Sequence, residues 1–480
     1  MLDQDENWWR RPAGVREVLM MALPLVVSNL SATIMIFTDR VFLAHYSTDA
    51  VAAALPAGNL IFLAICFPLG VASYVNTFVA QYHGANRPER IGLVVWQAVI
   101  LGLATVPLML LTIPWAPAII HWAGHPREVA VLEVEFYQSL CWGESALVLA
   151  AALSGFFTGR GDTRTVMIVD SLAAGLNVLL DYAWIFGHFG FPECGVSGAG
   201  WATSTATLFR VLVYVALWLR PAFRARYQTL AGCRFDRELF GRLLWFGSPN
   251  GVQYLIEVGA FCVFIVLVGQ IGKNELAASN LAFNLNALVF MPVLGIGVAT
   301  SALVGRHLGE NRPDLAARST WTALWLAVVV LLPLAALYVL FPDVLLWAYG
   351  NADGATPDTM PRDTVPRDTV PRDTVPRELA AVLLRFVAFY SLFDAMNVIF
   401  AGAIKGAGDT RFAMLTTVSA AVGAGILIWA SQEWFHLGLH GAWFCVTGWI
   451  CILGVVFLLR FMQGRWREMR VIESAADAGS

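Results

Sequence analysis

Four carboxylates are the strongest functional candidates inside the long apolar runs of this chain: Asp39, Asp181, Glu257 and Asp394. A charge near the middle of a membrane costs roughly 2.5–3.5 kcal/mol on insertion scales, so each is a functional candidate by default. Three of the four have a neutral polar partner one helical turn away. Asn177 precedes Asp181, Gln253 precedes Glu257 and Tyr390 precedes Asp394, each by four residues. That spacing puts both members of a pair on one helix face. A carboxylate beside a neutral polar group suits the binding of a small cation through oxygens, or the holding of an exchangeable proton. Thr203, Asn280 and Asn284 are polar residues in other apolar runs that can extend either group. Glu144, Arg40, Arg210 and Arg385 are further charges within such runs. The bland alternative for any of these residues is an interhelical hydrogen bond that only joins spans.

The elements that must position these groups are membrane helices. The chain has 480 residues, of which 58% are hydrophobic and 14% charged. Its mean hydropathy is +0.65. A soluble domain carries about 25% charged residues, so the composition indicates a polytopic membrane protein. Apolar runs long enough to span ~30 Å of hydrocarbon number twelve. They fall at about 15–45, 50–80, 92–121, 129–158, 165–187 and 196–219, then 241–270, 275–305, 317–348, 379–404, 412–434 and 439–463. With the N-terminus inside, 22 of the 31 Lys and Arg residues lie in cytoplasmic segments. That bias follows the positive-inside rule and predicts that both termini are cytoplasmic. The first run is too long for a cleaved signal and reads as a retained span.

Two halves are related by repetition. Gly84-Ala-Asn-Arg-Pro-Glu resembles Gly309-Glu-Asn-Arg-Pro-Asp, 225 residues later. Pro24 and Pro249 share that offset. The turn Gly159-Arg-Gly-Asp-Thr-Arg returns as Gly406-Ala-Gly-Asp-Thr-Arg, 247 residues later. The difference of 22 equals the tract 356–377, which contains three copies of Pro-Arg-Asp-Thr-Val. A proline every fifth residue opposes regular helix or central strand, so this tract reads as an extended external loop. Both repeats start on the same side of the membrane, so the halves are parallel copies and not inverted ones. The organisation expected is an N-terminal six-helix lobe over 1–219, a basic cytoplasmic linker over 220–242, and a C-terminal six-helix lobe over 243–480.

Several functions are excluded or unsupported. The Gly-rich turns lack the Lys-Ser/Thr of a phosphate-binding loop, and no His pair has metalloprotease spacing. The seven Cys are scattered without a CxxC and read as small buried hydrophobes. An enzyme is not expected, nor a cofactor, nor a nucleic-acid partner.

Taken together, these residues resemble the MATE family, multidrug and toxic compound extrusion transporters. The resemblance covers nearly the whole chain. It rests on the twelve spans in two halves, the paired Gly-x-Gly-Asp-Thr turns, Asn177-Val-Leu-Leu-Asp-Tyr-Ala-Trp-Ile-Phe-Gly187, and Gly195-Val-x-Gly-Ala-x-x-Ala-Thr203. It implies an all-α integral membrane fold of two six-helix bundles, V-shaped around a central cavity, working by alternating access. It implies export of cationic or amphipathic compounds in exchange for Na⁺ or H⁺, by a monomer in a bacterial inner membrane. By motif, Glu257, Tyr390 and Asp394 match the second-lobe cation site of the NorM-like branch, with Na⁺ a candidate ligand of Glu257 and Asp394. Asp39, Asn177, Asp181 and Thr203 match the first-lobe polar site, and Gln253, Asn280 and Asn284 are possible supports. Both sets are kept, so which lobe couples stays open at this point, as do the ion and the substrate. The alternative is a flippase or exporter for lipid-linked saccharides or other lipids.

Overall fold

A computed structural model describes residues 9, 11–122, 126–342, 344–346, 374–434 and 436–473. Among them twelve helices are long and apolar enough to cross a membrane. The first six are α1 (Val15–Tyr46), α2 (Thr48–Gly84), α3 (Pro88–His121), α4 (Arg127–Gly159), α5 (Thr163–Phe186) and α6 (Gly195–Trp218). The second six are α7 (Arg237–Ile271), α8 (Lys273–Gly309), α9 (Pro313–Leu340), α10 (Thr374–Ala407), α11 (Thr410–Glu433) and α12 (Gly438–Met462). No strand occurs among the described residues. Outward-facing Leu179, Leu212, Leu332 and Phe444 are exposed, as lipid-facing side chains are.

Two boundaries move furthest from expectation. The ninth span ends at Leu340, where Phe341 leaves helical geometry, instead of running to 348. The tenth begins at Thr374, five residues early, with Pro376 in its first turn. An N-terminal turn has no partner for those N–H groups, so proline is tolerated there. Residues 356–373 of the proline-repeat tract lie outside the described residues.

Packing repeats between the two bundles. In the first, α1 packs on α5, α2 on α4 and α4 on α6; in the second, α7 packs on α11, α8 on α10 and α10 on α12. The repeated turns all lie at one end, here called the basic end. Asn86 and Asn311 hold equivalent left-handed positions, φ 55° and 57°. Asparagine visits that region more readily than most residues, which explains its recurrence in both turns. Gly161 and Gly408 likewise have positive φ, at 82° and 117°.

The lobes meet through α1 with α8 and α2 with α7. Among the described residues, their hydrogen bonds and ion pairs lie in the middle and at the basic end. Gln81 Nε2 donates to the Gly406 carbonyl at 2.9 Å, and the Tyr74 hydroxyl to the Lys405 carbonyl at 2.7 Å. The segment after α12 folds back over this end. Val471 N–H donates to Gln81 Oε1 at 2.8 Å, and the Tyr82 hydroxyl donates to the Glu473 carboxylate at 2.8 Å. Glycines allow the backbones to touch. A Cβ on Gly84 would lie 2.0 Å from the Arg306 carbonyl oxygen, and one on Gly309 would lie 2.2 Å from that of Gln81. Gly70 and Gly295 make a second such pair, against Gly251 and Val26.

Candidate functional site

The first lobe gathers polar groups from three helices. Asp39 comes from α1, Asn177 and Asp181 from α5, and Thr203 from α6. The helix α6 comes close because it lacks a side chain at Gly198. A Cβ there would stand 2.8 Å from the Trp184 carbonyl oxygen. Asn177 and Asp181 are fully buried, Thr203 nearly so, and Asp39 partly.

The Asn177 amide is the centre of this group. With its nitrogen towards the carboxylates, Nδ2 donates to Asp39 Oδ1 at 3.0 Å and to Asp181 Oδ2 at 3.1 Å. Its oxygen then accepts from Thr203 Oγ1 at 3.2 Å and from the Thr203 N–H at 3.3 Å. Thr203 Oγ1 also lies in donating position to Asp39 Oδ2, at 3.4 Å. The second oxygen of Asp181 is buried without a hydrogen-bond partner. Two carboxylates on one amide repel each other unless a proton or a cation stands between them. With its nitrogen inward the amide bridges the two carboxylates directly.

The second lobe is looser. Gln253 Nε2 donates to Glu257 Oε1 at 2.9 Å, as their spacing on α7 predicts. On α10, Asp394 Oδ1 accepts from Asn397 Nδ2 at 3.4 Å. Tyr390 is buried one turn before it, and no hydrogen bond joins the two among the described residues. Glu257 and Asp394 feel each other's charge. Asn280 and Asn284 on α8 are exposed, and no hydrogen bond ties either to these carboxylates among the described residues.

Three groups were not singled out by spacing. Lys405 was expected in a cytoplasmic turn, but α10 continues to Ala407 and carries it as a half-buried residue. Its ammonium and Glu257 act on each other electrostatically. Asn397 is the partner Asp394 has. Asp170, on α5, accepts from the hydroxyls of Ser28 and Tyr214. The signal for Lys405 was a cation directly abutting an apolar run. Asp170 lies in the fifth apolar run and so carried the same signal as Asp181, but no polar residue stands four positions from it on its own helix.

The chain can now be set beside known proteins. The MatE family model matches residues 24–183 and 249–429. The chain is 30% identical to "Probable multidrug resistance protein NorM" of Brucella suis, over 98% of this chain and 96% of the relative. It is 29% identical to "Multidrug resistance protein PmpM" of Pseudomonas aeruginosa, over 90% of this chain and 87% of the relative. Among solved structures it resembles one described as the "outward-facing conformation of a multidrug resistance MATE family transporter of the MOP superfamily". There the TM-score is 0.82 and the identity 21%, over 95% of this chain and 96% of that one. A MOP superfamily transporter from Pyrococcus furiosus also matches with a TM-score of 0.82 and 20% identity, over 96% of this chain and 98% of that one.

Proposed function

Because the chain belongs to the MATE family of multidrug efflux transporters, we propose that it exports cationic or amphipathic compounds by antiport against a monovalent cation, Na⁺ or H⁺. The cation couples at the first-lobe group of Asp39, Asn177, Asp181 and Thr203. One observation carries this assignment: two carboxylates from different helices converge on the single Asn177 amide, whose nitrogen lies 3.0 and 3.1 Å from them. Cation binding there draws α1 and α5 together, which favours one packing of the lobe. Antiport requires the cation and the substrate to prefer different states of the protein.

The second-lobe carboxylates have a different task in this reading. Lys405 and Glu257 attract each other, and Asp394, held by Asn397, is assigned to the cationic substrate. The basic end is cytoplasmic by the positive-inside rule. The lobes are closed there, which supports the reading of an outward-facing state in a bacterial inner membrane.

The test is efflux of a fluorescent organic cation from proteoliposomes, with a Na⁺ gradient and a pH gradient imposed separately. Acceleration by one gradient is expected. Folded protein that responds to neither overturns the antiport reading and favours export of lipid-linked substrates. A second expectation concerns Asp394→Asn. It raises KM for organic cations about tenfold, the worth of one lost charge contact, and leaves the driving ion unchanged. If Asp394→Asn instead abolishes the response to the driving gradient, coupling belongs to the second lobe.

A further inference from the structure

The first lobe contains a second charged cluster nearer the basic end. Asp170, Asn177 and Asp181 lie on one face of α5, at spacings of seven and four residues. Thr203, Thr207, Arg210 and Tyr214 lie on one face of α6. These faces form a polar stripe that runs from the paired carboxylates towards the basic end. Ser31 Oγ and Ser171 Oγ, 3.0 Å apart, lie along it. Eleven residues separate Asp170 from Asp181, about 16 Å of helix.

At the inner end of the stripe stands Arg210. Its Nη1 is 3.9 Å from Asp170 Oδ1, an oxygen that already accepts from the Tyr214 hydroxyl at 2.9 Å. The Ser28 hydroxyl holds the other Asp170 oxygen. Arg210 Nε is buried without a hydrogen-bond partner, and so is Glu144 Oε2 on α4, a carboxylate within reach of the Arg210 charge. The guanidinium thus sits between two carboxylates and is fully engaged by neither. Most of it is out of water, with 21% of the side chain exposed.

We propose that Arg210 is a tethered cation that closes the inner end of the stripe, so that the driving ion bound at Asp39 and Asp181 cannot pass on to the cytoplasm without substrate exchange. This rests on the first-lobe coupling reading. A fixed positive charge in a narrow polar path excludes mobile cations, as charged constrictions do in selective pores. Asp170 holds the charge in place, and the Tyr214 and Ser28 hydroxyls hold Asp170.

The test is ion leak into proteoliposomes without any substrate, under a potassium-diffusion potential, read separately for H⁺ and Na⁺. Arg210→Met is expected to raise the leak of the coupling ion about tenfold or more, while Arg210→Lys restores the wild-type level. Adding Asp181→Asn to Arg210→Met is expected to abolish that leak, because the path then lacks its entry site. If Arg210→Met leaves an unpaired carboxylate and fails to fold, the double variant Arg210→Met/Asp170→Asn removes both charges and is expected to leak equally. Folded charge-free variants that stay as tight as wild type overturn the proposal. So does a leak that persists after Asp181→Asn, since its route then bypasses the site. Failure of the coupling reading itself shows separately, in wild-type protein that responds to neither gradient.

Discussion

Asp181→Asn is expected to lower gradient-driven efflux about a hundredfold or more, because losing one partner of a buried charge interaction costs roughly 2–5 kcal/mol. Asparagine has nearly the same shape, so the helix packing around it is kept. It can neither release a proton nor supply a charged oxygen to a cation. The stability change has the opposite sign. In wild type, Asp39 and Asp181 both lie on the Asn177 nitrogen, 3.0 and 3.1 Å away, and their charges repel when neither a proton nor a cation stands between them. Neutralising one relieves that repulsion, so the variant melts at the same temperature as wild type or higher. Cation binding adds a third signature. A ligand at a hundred times its Kd stabilises the folded state by about 2.7 kcal/mol. Wild type is therefore expected to melt higher with the coupling ion present, and Asp181→Asn is not. Thermal melts and proteoliposome efflux on the same preparations check all three. Wild-type efflux with unchanged ion dependence would sink the first-lobe assignment.

The second large effect lies at the closed end. Gly84→Ala combined with Gly309→Ala places two methyl groups 2.0 and 2.2 Å from carbonyl oxygens of the opposite lobe. Backbone on both sides leaves no flexible side chain to move aside. Overpacking of this kind costs about 1–3 kcal/mol per site, and every 1.4 kcal/mol is tenfold in an equilibrium. The clash exists only where the lobes touch, so it acts on the closed state and spares each bundle. The double variant is expected to shift roughly thirtyfold to twenty-thousandfold towards a state open at the basic end. Spin labels on the exposed Glu89 and Asp314, with native cysteines replaced, measure this as a longer separation. Efflux falls with it, because the transport cycle stalls. An unchanged distance distribution with normal efflux would show that the glycines carry no conformational role.

Much of this architecture was readable before any coordinates. The twelve spans follow from hydrocarbon thickness, and the copied turns mark the basic end because Asn86, Asn311, Gly161 and Gly408 occupy backbone states that few residues accept. The first-lobe group was partly readable: Asn177 and Asp181 share a turn, but Thr203 and Asp39 join them only through helix packing. What stayed hidden was non-local. Asp170 depends on Ser28, 142 residues away, and on Tyr214, 44 away. Lys405 was read as a loop residue because the apolar run stops just before it. The helix continues because the Lys405 carbonyl accepts from the Tyr74 hydroxyl of the other lobe. Helical spacing marks a shared face, not a hydrogen-bond partner. Asp394 shares a face with Tyr390, yet its hydrogen bond goes to Asn397.

The glycine contacts at the closed end have an evolutionary meaning. Gly84 meets the carbonyl of Arg306, and Gly309 meets that of Gln81. Adding 225 to 84 and to 81 gives 309 and 306, so these are one contact made twice. Gly70 with Gly251 and Gly295 with Val26 obey the same arithmetic. Such reciprocity is the mark of an isologous interface, in which residue i of one subunit meets j of the other and j meets i. The face joining the halves is therefore self-complementary, as it would be in a two-fold dimer of a six-helix ancestor whose gene was later duplicated and fused. Fusion freed the two copies to diverge. Gln81 and Tyr82 are clasped by the chain's C-terminal segment, whereas the equivalent Arg306 faces Glu17 near the N-terminus. A symmetric hinge has thus acquired two different fasteners, each available to mutation on its own.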